Sequence, residues 1–246
     1  MSLLEVHGIT KRFGAVQVLN GVDLTIEAGT VVGLVGDNGA GKSTLMKTIT
    51  GIYTVDEGEI FLSGEMINSL TPGERRQKGI EMIYQDLALA KQQDVAANIF
   101  LGREPVKWAF GFLPGFVDKA KMDEDALKMI ARLGARIPSI HRPVGMFSGG
   151  QQQTVAIARA LTFNPKLVIM DEPTAALAVR EVESVLKLIR QMREEGIAVV
   201  LISHRLNDVF EVTDRIVVLR QGRIEADLPT QKTQMREVVS YIVGAH

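Results

Sequence analysis

Three glycines and a lysine at fixed spacing form the clearest chemical motif of the chain. The stretch "GDNGAGKST" at residues 36–44 fits the pattern G-x-x-x-x-G-K-[S/T]. Gly36, Gly39 and Gly41 allow backbone conformations that a Cβ would block, so successive N–H groups can point at phosphate oxygens. An apolar run, "VVGLVG", precedes the motif and a helical pattern follows it. This context predicts a phosphate-binding loop between a strand and a helix.

Two polar residues of this loop suit nucleotide chemistry. Lys42 would supply a mobile cation for the outer phosphates, and the hydroxyl of Ser43 suits a magnesium ion. The residues expected to contact the nucleotide here are Gly36, Asp37, Asn38, Gly39, Ala40, Gly41, Lys42, Ser43 and Thr44. The alternative is a glycine-rich turn with an incidental lysine and serine.

Two adjacent carboxylates end another apolar run, "KLVIMDEP". At the carboxyl end of a buried strand both side chains can enter the crevice where α/β folds bind ligands. Asp171 would then hold magnesium beside Ser43, and Glu172 would accept the proton of an attacking water. Such a base is typically worth about 10²–10⁴ in rate. The alternative is that Asp-Glu-Pro only ends the strand and caps the next helix.

Two further polar residues close apolar runs. His204 ends "IAVVLISH" and Gln85 closes "IEMIYQD". Placed at the same sheet edge as Glu172, His204 would bond the terminal phosphate and help to orient water. Gln85 would reach magnesium. A structural strand terminus for the histidine and a solvent-exposed amide for the glutamine are the alternatives.

A second glycine-rich stretch, "FSGGQ" at 147–151, leads into an apolar helical pattern. A serine hydroxyl, glycine N–H groups and a helix dipole can together hold a terminal phosphate. An N-cap would account for Ser148, but not for the second glycine and the glutamine behind it. The pattern therefore predicts another anion cradle about a hundred residues after the first.

Composition narrows the class of protein. Net charge is −1 over 246 residues, which gives no indication of a nucleic-acid or anionic-lipid surface. The absence of cysteine excludes disulfides and thiolate metal sites, and no apolar run approaches the roughly 20 residues of a membrane span. The N-terminal stretch has no feature of an export signal. We expect a cytosolic globular protein that can still dock on a membrane partner.

The elements that position these residues follow an α/β pattern. Short β-branched runs bounded by glycine dominate the start, and "GEIFLSGEMI" predicts a hairpin. The runs "GIEMIYQD", "KLVIMDEP" and "IAVVLISH" are apolar without alternation, as in a parallel sheet covered by helices. Residues 179–195 place apolar side chains at helical spacing, with Gly196 as a C-cap.

Strand signals vanish between about residues 87 and 161, and helical patterns replace them. We interpret this segment as a helical lobe inserted into the α/β core. Within it, residues 104–118 form a Pro/Gly-broken, aromatic-rich stretch that suits neither helix nor strand. Its aromatic side chains, Trp108, Phe110, Phe112 and Phe116, are candidates for contact with a partner, the alternative being a loop folded back on its own lobe.

The order and spacing of these motifs resemble those of the ATP-binding-cassette (ABC) ATPases over essentially the whole chain. The resemblance implies an α/β fold with a P-loop NTPase (RecA-like) core, an N-terminal antiparallel β subdomain and an inserted α-helical subdomain. It implies one nucleotide-binding domain over 1–246, with the core at 1–86 and 162–246 and the helical signature subdomain at 87–161. The combination of "SGGQQQ" with "DEPTAALAVRE" is most similar to the cassettes of bacterial simple-sugar importers.

The resemblance also implies roles for single residues. Phe13 is similar to the aromatic residue that stacks on adenine, although a core phenylalanine is the alternative. Gln85 resembles the residue that senses magnesium and the membrane partner. Glu172 and His204 resemble the catalytic carboxylate and the phosphate-sensing histidine. The signature residues Ser148, Gly149, Gly150 and Gln151 would contact the nucleotide of a second cassette.

ATP and Mg²⁺ are therefore the expected ligands, and a second cassette, most simply another copy of this chain, is the expected partner. Head-to-tail pairing would bind each γ-phosphate from both sides, so hydrolysis would loosen the dimer. Transmembrane permease subunits would hold the protein at the inner face of the membrane, with a substrate-binding protein as an indirect partner and no nucleic acid.

Three points remain open from the sequence. Phe147 replaces the leucine that usually opens the signature, and Ala178 stands where the family often has an aspartate. The alternative functions are a soluble or exporter-associated ABC ATPase and a clamp that binds nucleotide without hydrolysing it.

Overall fold

The computed structural model describes residues 2–109, 113–135, 137–175 and 177–245. The chain divides into two compact units. The first comprises residues 1–85, 165–174 and 183–246, and the second comprises 86–164 and 175–182.

A six-stranded sheet forms the centre of the first unit, in the order β12-β11-β3-β10-β9-β6. Its strands are β3 (Val31–Val35), β6 (Ile80–Ile83), β9 (Leu167–Asp171), β10 (Ala198–Ile202), β11 (Arg215–Arg220) and β12 (Arg223–Pro229). All neighbours pair in parallel except β12, which runs antiparallel to β11 at the edge.

The three apolar runs without alternation are indeed parallel strands. Every residue of β3, β6 and β10 is buried, and in β9 only Asp171 is partly exposed. Strands buried on both faces have no solvent side to favour polar residues, which explains the continuous apolar pattern. Because parallel strands all point the same way, the residues that follow them meet at one edge of the sheet.

A four-stranded antiparallel sheet belongs to the same unit, in the order β2-β1-β4-β5. Its strands are β1 (Ser2–Phe13), β2 (Val16–Glu27), β4 (Glu57–Leu62) and β5 (Glu65–Met66). The predicted hairpin is confirmed, since β4 and β5 pair antiparallel. Ser63 and Gly64 between them both have positive φ, the conformation of a two-residue hairpin turn. A single apolar core joins this sheet, helix α1 (Lys42–Ile49) and the six-stranded sheet.

Five helices lie in the first unit wholly or in large part: α1 (Lys42–Ile49), α2 (Pro72–Gln77), α6 (Val179–Glu194), α7 (Leu206–Val212) and α8 (Met235–Val243). The prediction for α6 is confirmed. Its apolar stripe, Val182, Val185, Leu188, Ile189 and Met192, is buried. Gly196 follows the helix with φ +82°, as expected at a C-cap. The first turn of α6 belongs to the second unit.

The second unit is mainly helical, with α3 (Val95–Phe100), α4 (Lys119–Arg132) and α5 (Gly149–Leu161) packed on one another. The expectation that strands vanish here is wrong at one place. Strands β7 (Val106–Ala109) and β8 (Leu113–Val117) pair as an antiparallel hairpin within the aromatic stretch. Two short segments with β-branched and aromatic residues pair here, although Pro105, Pro114 and Gly115 hide the pattern in the sequence.

The aromatic stretch is described only in part. Phe116 is 90% exposed, whereas Phe110, Phe112 and the side chain of Trp108 lie outside the residues that the structure describes. Over the described ranges, no helix has both the length and the apolar character required to cross a bilayer.

Candidate nucleotide-binding site

The phosphate-binding loop connects β3 to α1, as the sequence predicts. Gly36 has φ +151°, and a Cβ there would lie 2.0 Å from the carbonyl oxygen of Leu219. Gly41 has φ +107° and precedes the first residue of α1. A Cβ on Gly41 would lie 3.1 Å from the carbonyl oxygen of Val18. Both positions therefore require glycine for conformation and for space.

Lys42 lies at the first turn of α1 and points back into the loop. Its Nζ donates to the carbonyl oxygens of Gly36 at 2.7 Å and Asp37 at 2.9 Å. Burial lowers the pKa of Lys42, while the charges of Glu172, Asp171 and Asp37 oppose this shift. The Lys42 ammonium is partly desolvated and its hydrogen-bond partners are uncharged carbonyls, so it still attracts an anion strongly. The loop thus presents a cation with backbone N–H groups around it.

The two carboxylates at the end of β9 enter the same cleft, as predicted. This cleft of about 410 Å³ is lined by Val18, Asn38, Gly39, Ala40, Gly41, Lys42, Ser43, Thr44, Gln85, Asp171, Glu172 and Ile202. Asp171 Oδ2 accepts a hydrogen bond from Ser43 Oγ at 3.5 Å. Burial raises the pKa of Asp171, and the charge of Glu172 adds to the shift. A partly buried carboxylate beside a second one is a site that a cation would stabilise.

Glu172 begins the turn out of the sheet. Its N–H still continues the ladder to the carbonyl oxygen of Ile202 at 2.9 Å. Its φ is +51°, in the left-handed region that few non-glycine residues adopt. Backbone strain of this kind costs on the order of 1–3 kcal/mol and is concentrated at functional sites. This left-handed conformation directs the side chain of Glu172 into the cleft rather than onto a face of the sheet.

Glu172 and His204 bind each other directly. His204 Nδ1 lies 2.8 Å from Glu172 Oε2, and the His204 N–H donates to Glu172 Oε1 at 3.1 Å. The carboxyl is 14% exposed and the imidazole 69% exposed. His204 thus fixes the carboxylate on one side and leaves the rest of its own ring open to the cleft. The expectation that the two residues share one sheet edge is confirmed.

A neighbouring cleft of about 540 Å³ extends this site. It is lined by Val35, Gly36, Asp37, Asn38, Gln85, Glu172, Ser203, His204, Leu206 and Ile242. Gln85 and Glu172 line both clefts. The combined space falls in the range of small-molecule sites. Carboxylate, hydroxyl and amide oxygens are the ligands that magnesium prefers, so Asp171, Ser43 and Gln85 fit the ion that a nucleotide would bring.

Phe13, the candidate for adenine stacking, ends β1 and is 42% exposed. Its ring packs edge-on against Tyr53 with centroids 5.0 Å apart, and Lys11 Nζ lies 5.7 Å from its centroid. Phe13 is thus not a core residue, and an aromatic face remains accessible beside the first unit's antiparallel sheet.

The second glycine-rich stretch caps α5 in the second unit. Ser148 Oγ accepts from the N–H of Gln151, whose side-chain oxygen accepts from the N–H of Ser148, so the two form a capping box. The sequence left this glutamine unexplained, and the box accounts for it. Phe147, which replaces the usual leucine, is buried, so this position packs against its neighbours.

The second glycine is accounted for by a residue that the sequence analysis missed. Glu181 Oε1 accepts from Ser148 Oγ at 3.3 Å and from the N–H of Gly150 at 3.2 Å. A Cβ on Gly150 would lie 2.6 Å from the same oxygen. The signal available in the sequence was a glutamate in the first turn of α6, where acidic residues favour a helix N-terminus.

Two other groups of contacts were not predicted. Asp208 accepts from the Thr174 hydroxyl at 2.7 Å and pairs with Arg205 Nε at 3.2 Å, which ties the segment after Glu172 to the segment after His204. In the second unit, Arg159 of α5 donates to the carbonyl oxygens of Leu87 and Ala88, just after Gln85. Long-range polar contacts of this kind leave no periodic signal in a sequence.

A phosphate loop between a parallel strand and a helix, with an acidic pair at the end of a neighbouring strand, defines a P-loop nucleotide hydrolase. Residues 19–175 match the family model described as "ABC transporter". The chain belongs to this ABC transporter family and is an ABC-type ATP hydrolase.

Individual relatives agree with this assignment. The xylose/arabinose import ATP-binding protein of Sulfolobus acidocaldarius is 44% identical, over 98% of this chain and 94% of the relative. The galactose/methyl galactoside import ATP-binding protein of Treponema denticola is 40% identical over 98% of this chain, which spans only 47% of that relative.

Among solved structures, a nucleotide-free ATP-binding cassette from an ABC transporter superposes with a TM-score of 0.84 at 29% identity, covering 99% of this chain and 96% of that one. A dimeric ATP-binding cassette bound to ADP and phosphate has a TM-score of 0.79 at 27% identity, covering 94% and 100%.

Proposed function

We propose that this chain is the ATP-hydrolysing subunit of a membrane importer for a simple sugar. The observation that carries the proposal is the cleft in which the P-loop, Asp171 and the Glu172–His204 pair come together. The names of the relatives support sugar import, since they are curated as xylose/arabinose and galactose/methyl galactoside import proteins.

The P-loop would bind the triphosphate through backbone N–H groups and Lys42. Binding would pull the ammonium from the carbonyls of Gly36 and Asp37 towards the outer phosphates. Magnesium would be held by Ser43, Asp171 and Gln85, and when bound it neutralises phosphate charge. Phe13 would stack on the base.

Hydrolysis would use Glu172 as the general base. A water attacks the γ-phosphorus, its proton passes to the Glu172 carboxylate, and the bond to the β-phosphate oxygen breaks. His204 would hold the carboxylate through the Nδ1 contact at 2.8 Å and face the terminal phosphate with its open side. Positioning of base and water, rather than covalent chemistry, supplies the rate.

Two copies would complete the site. The Ser148, Gly149, Gly150 and Gln151 cradle of one copy would bind the γ-phosphate held by the P-loop of the other. The dimeric cassette with ADP and phosphate supports such pairing. Permease subunits would then keep the dimer at the inner face of the membrane, and a substrate-binding protein would deliver the sugar.

Phosphate release and sugar uptake test the proposal together. The wild type should release phosphate from ATP, and Glu172→Gln should reduce the rate at least 100-fold while ATP still binds. Co-reconstitution with a simple-sugar permease should give ATP-dependent uptake of a pentose or hexose. Hydrolysis without uptake of any simple sugar would favour a cassette not dedicated to sugar import. A wild-type rate in Glu172→Gln would refute the assignment of the base.

A further inference from the structure

The anion cradle at the start of α5 already contains an anion from the same chain. Two of its donors, the Ser148 hydroxyl and the Gly150 N–H, converge on one oxygen, Glu181 Oε1, at 3.3 and 3.2 Å. These are the groups expected to hold the partner's γ-phosphate. Each has one hydrogen to donate, so the carboxylate and a phosphate oxygen compete for them.

The packing of Glu181 against Gly150 also indicates that its carboxylate and a phosphate oxygen compete for this site. The Glu181 carboxyl packs directly over Gly150, since a Cβ there would meet Oε1 at 2.6 Å and the carboxyl carbon at 2.7 Å. A phosphate oxygen cannot approach the Gly150 N–H until this side chain moves. The second glycine of the stretch therefore provides space for Glu181 in this conformation.

The other carboxylate oxygen holds the side chain in place. Glu181 Oε2 accepts from the N–H of Ala178 at 3.1 Å, so Glu181 reaches back to the start of its own helix. Ala178 has no side-chain oxygen that could accept from the first turn of α6, and Glu181 provides the other half of a capping box by accepting from the N–H of Ala178. One carboxylate thus bridges the N-termini of α5 and α6, both of which favour negative charge.

We propose that Glu181 is an autoinhibitory occupant of the signature cradle, which the γ-phosphate of the opposing nucleotide must displace before two copies close on ATP. The inference rests on the proposed dimeric mechanism. A triphosphate, with more negative charge than one carboxylate, wins the competition when the copies meet. The contact of Glu181 with the cradle raises the ATP concentration needed for dimer closure. In the separate protomer it gives the donors of the cradle a hydrogen-bond acceptor.

The dimerisation constant tests this directly. In the Glu172→Gln background with ATP and magnesium, sedimentation should show that adding Glu181→Gln tightens the dimer about tenfold, because both cradles lose a charged competitor. Glutamine keeps an oxygen for the Ala178 N–H, so the α6 cap survives. Glu183→Gln, an exposed position on the same helix, is the matched control and should leave the constant unchanged.

A second readout follows the cradle itself. The amide resonance of Gly150 should shift on Glu181→Gln without nucleotide, and should shift again when Glu172→Gln closes on ATP. An unchanged or weaker dimer with Glu181→Gln, in a protein of unchanged melting temperature, would overturn the inference while the proposed function stands. If Glu172→Gln itself fails to dimerise, both are overturned.

Discussion

Arg75 provides a sharp test of how the P-loop helix is anchored. Its side chain is only 1% exposed, and its guanidinium binds backbone carbonyl oxygens. It donates four hydrogen bonds to carbonyl oxygens, at 2.8 Å to Thr48 and Ile49, 3.0 Å to Asn68 and 3.2 Å to Leu70. Thr48 and Ile49 form the last turn of α1, where carbonyls lack helical partners.

The cost of Arg75→Met follows from these contacts. Charge-assisted bonds contribute about 1.5 kcal/mol each at the low end, so the four together contribute roughly 6 kcal/mol. Removing a buried guanidinium also removes the free-energy cost of its desolvation, which offsets part of this loss. The same desolvation lowers the pKa of Arg75. We expect a net loss of about 3–4 kcal/mol, because four carbonyl oxygens lose their charged donor in a site that is buried at Thr48 and Ile49 and half-buried at Asn68 and Leu70.

Differential scanning calorimetry measures the effect. A loss of this size should lower the melting temperature by about 10 °C in a domain of this size. Lys78→Met removes a cation three residues later whose pair with Glu65 lies at the surface, and should cost less than about 1 kcal/mol. If Arg75→Met is as mild as Lys78→Met, the buried guanidinium does not anchor α1 and the reasoning is refuted.

Two further predictions concern the ligand. Because burial raises the pKa of Asp171, the destabilisation of the nucleotide-free protein by the ionised side chain is complete above the raised pKa, decreases as the pH falls below it, and is lost below the ordinary pKa of an aspartate. Asp171→Asn should therefore raise the nucleotide-free melting temperature by about 2–5 °C at pH 7, by less as the pH falls towards the ordinary pKa of an aspartate, and weaken magnesium-ATP binding. A lower melting temperature at pH 7 would contradict the sign. Phe13→Ala should weaken ATP binding about tenfold, as for a stacked base, and lower the nucleotide-free melting temperature by no more than about 2–4 °C through the lost contact with Tyr53. Calorimetric titration showing wild-type affinity would exclude stacking.

The residues at the carboxyl edge of the sheet could be predicted from the sequence, because the patterns that identify them are local. Glycines with special φ values, apolar runs and the polar residues that end them can be located without knowledge of the tertiary fold. The common direction of parallel strands then brings Gln85, Asp171 and His204 to one edge. This is why the pairing of Glu172 with His204 was within reach of sequence reasoning.

Contacts between distant segments could not be predicted in the same way. Glu181 follows Ser148 by 33 residues and Asp208 follows Thr174 by 34, and neither pair has a fixed spacing that would reveal it. The β7–β8 hairpin was missed because prolines and glycines usually argue against strands. Such elements depend on tertiary context rather than on local propensity.

The central claim is that each ATP site is built from two copies of the chain. Ser148→Arg and Glu172→Gln should each be nearly inactive in phosphate release when purified alone. The two variants are then mixed in equal amounts before ATP is added. Random pairing makes about half of the dimers hybrids, and each hybrid has one intact site of two. About one quarter of the wild-type rate should therefore return. A mixture no more active than its components would contradict shared sites, and so would full activity of Ser148→Arg alone.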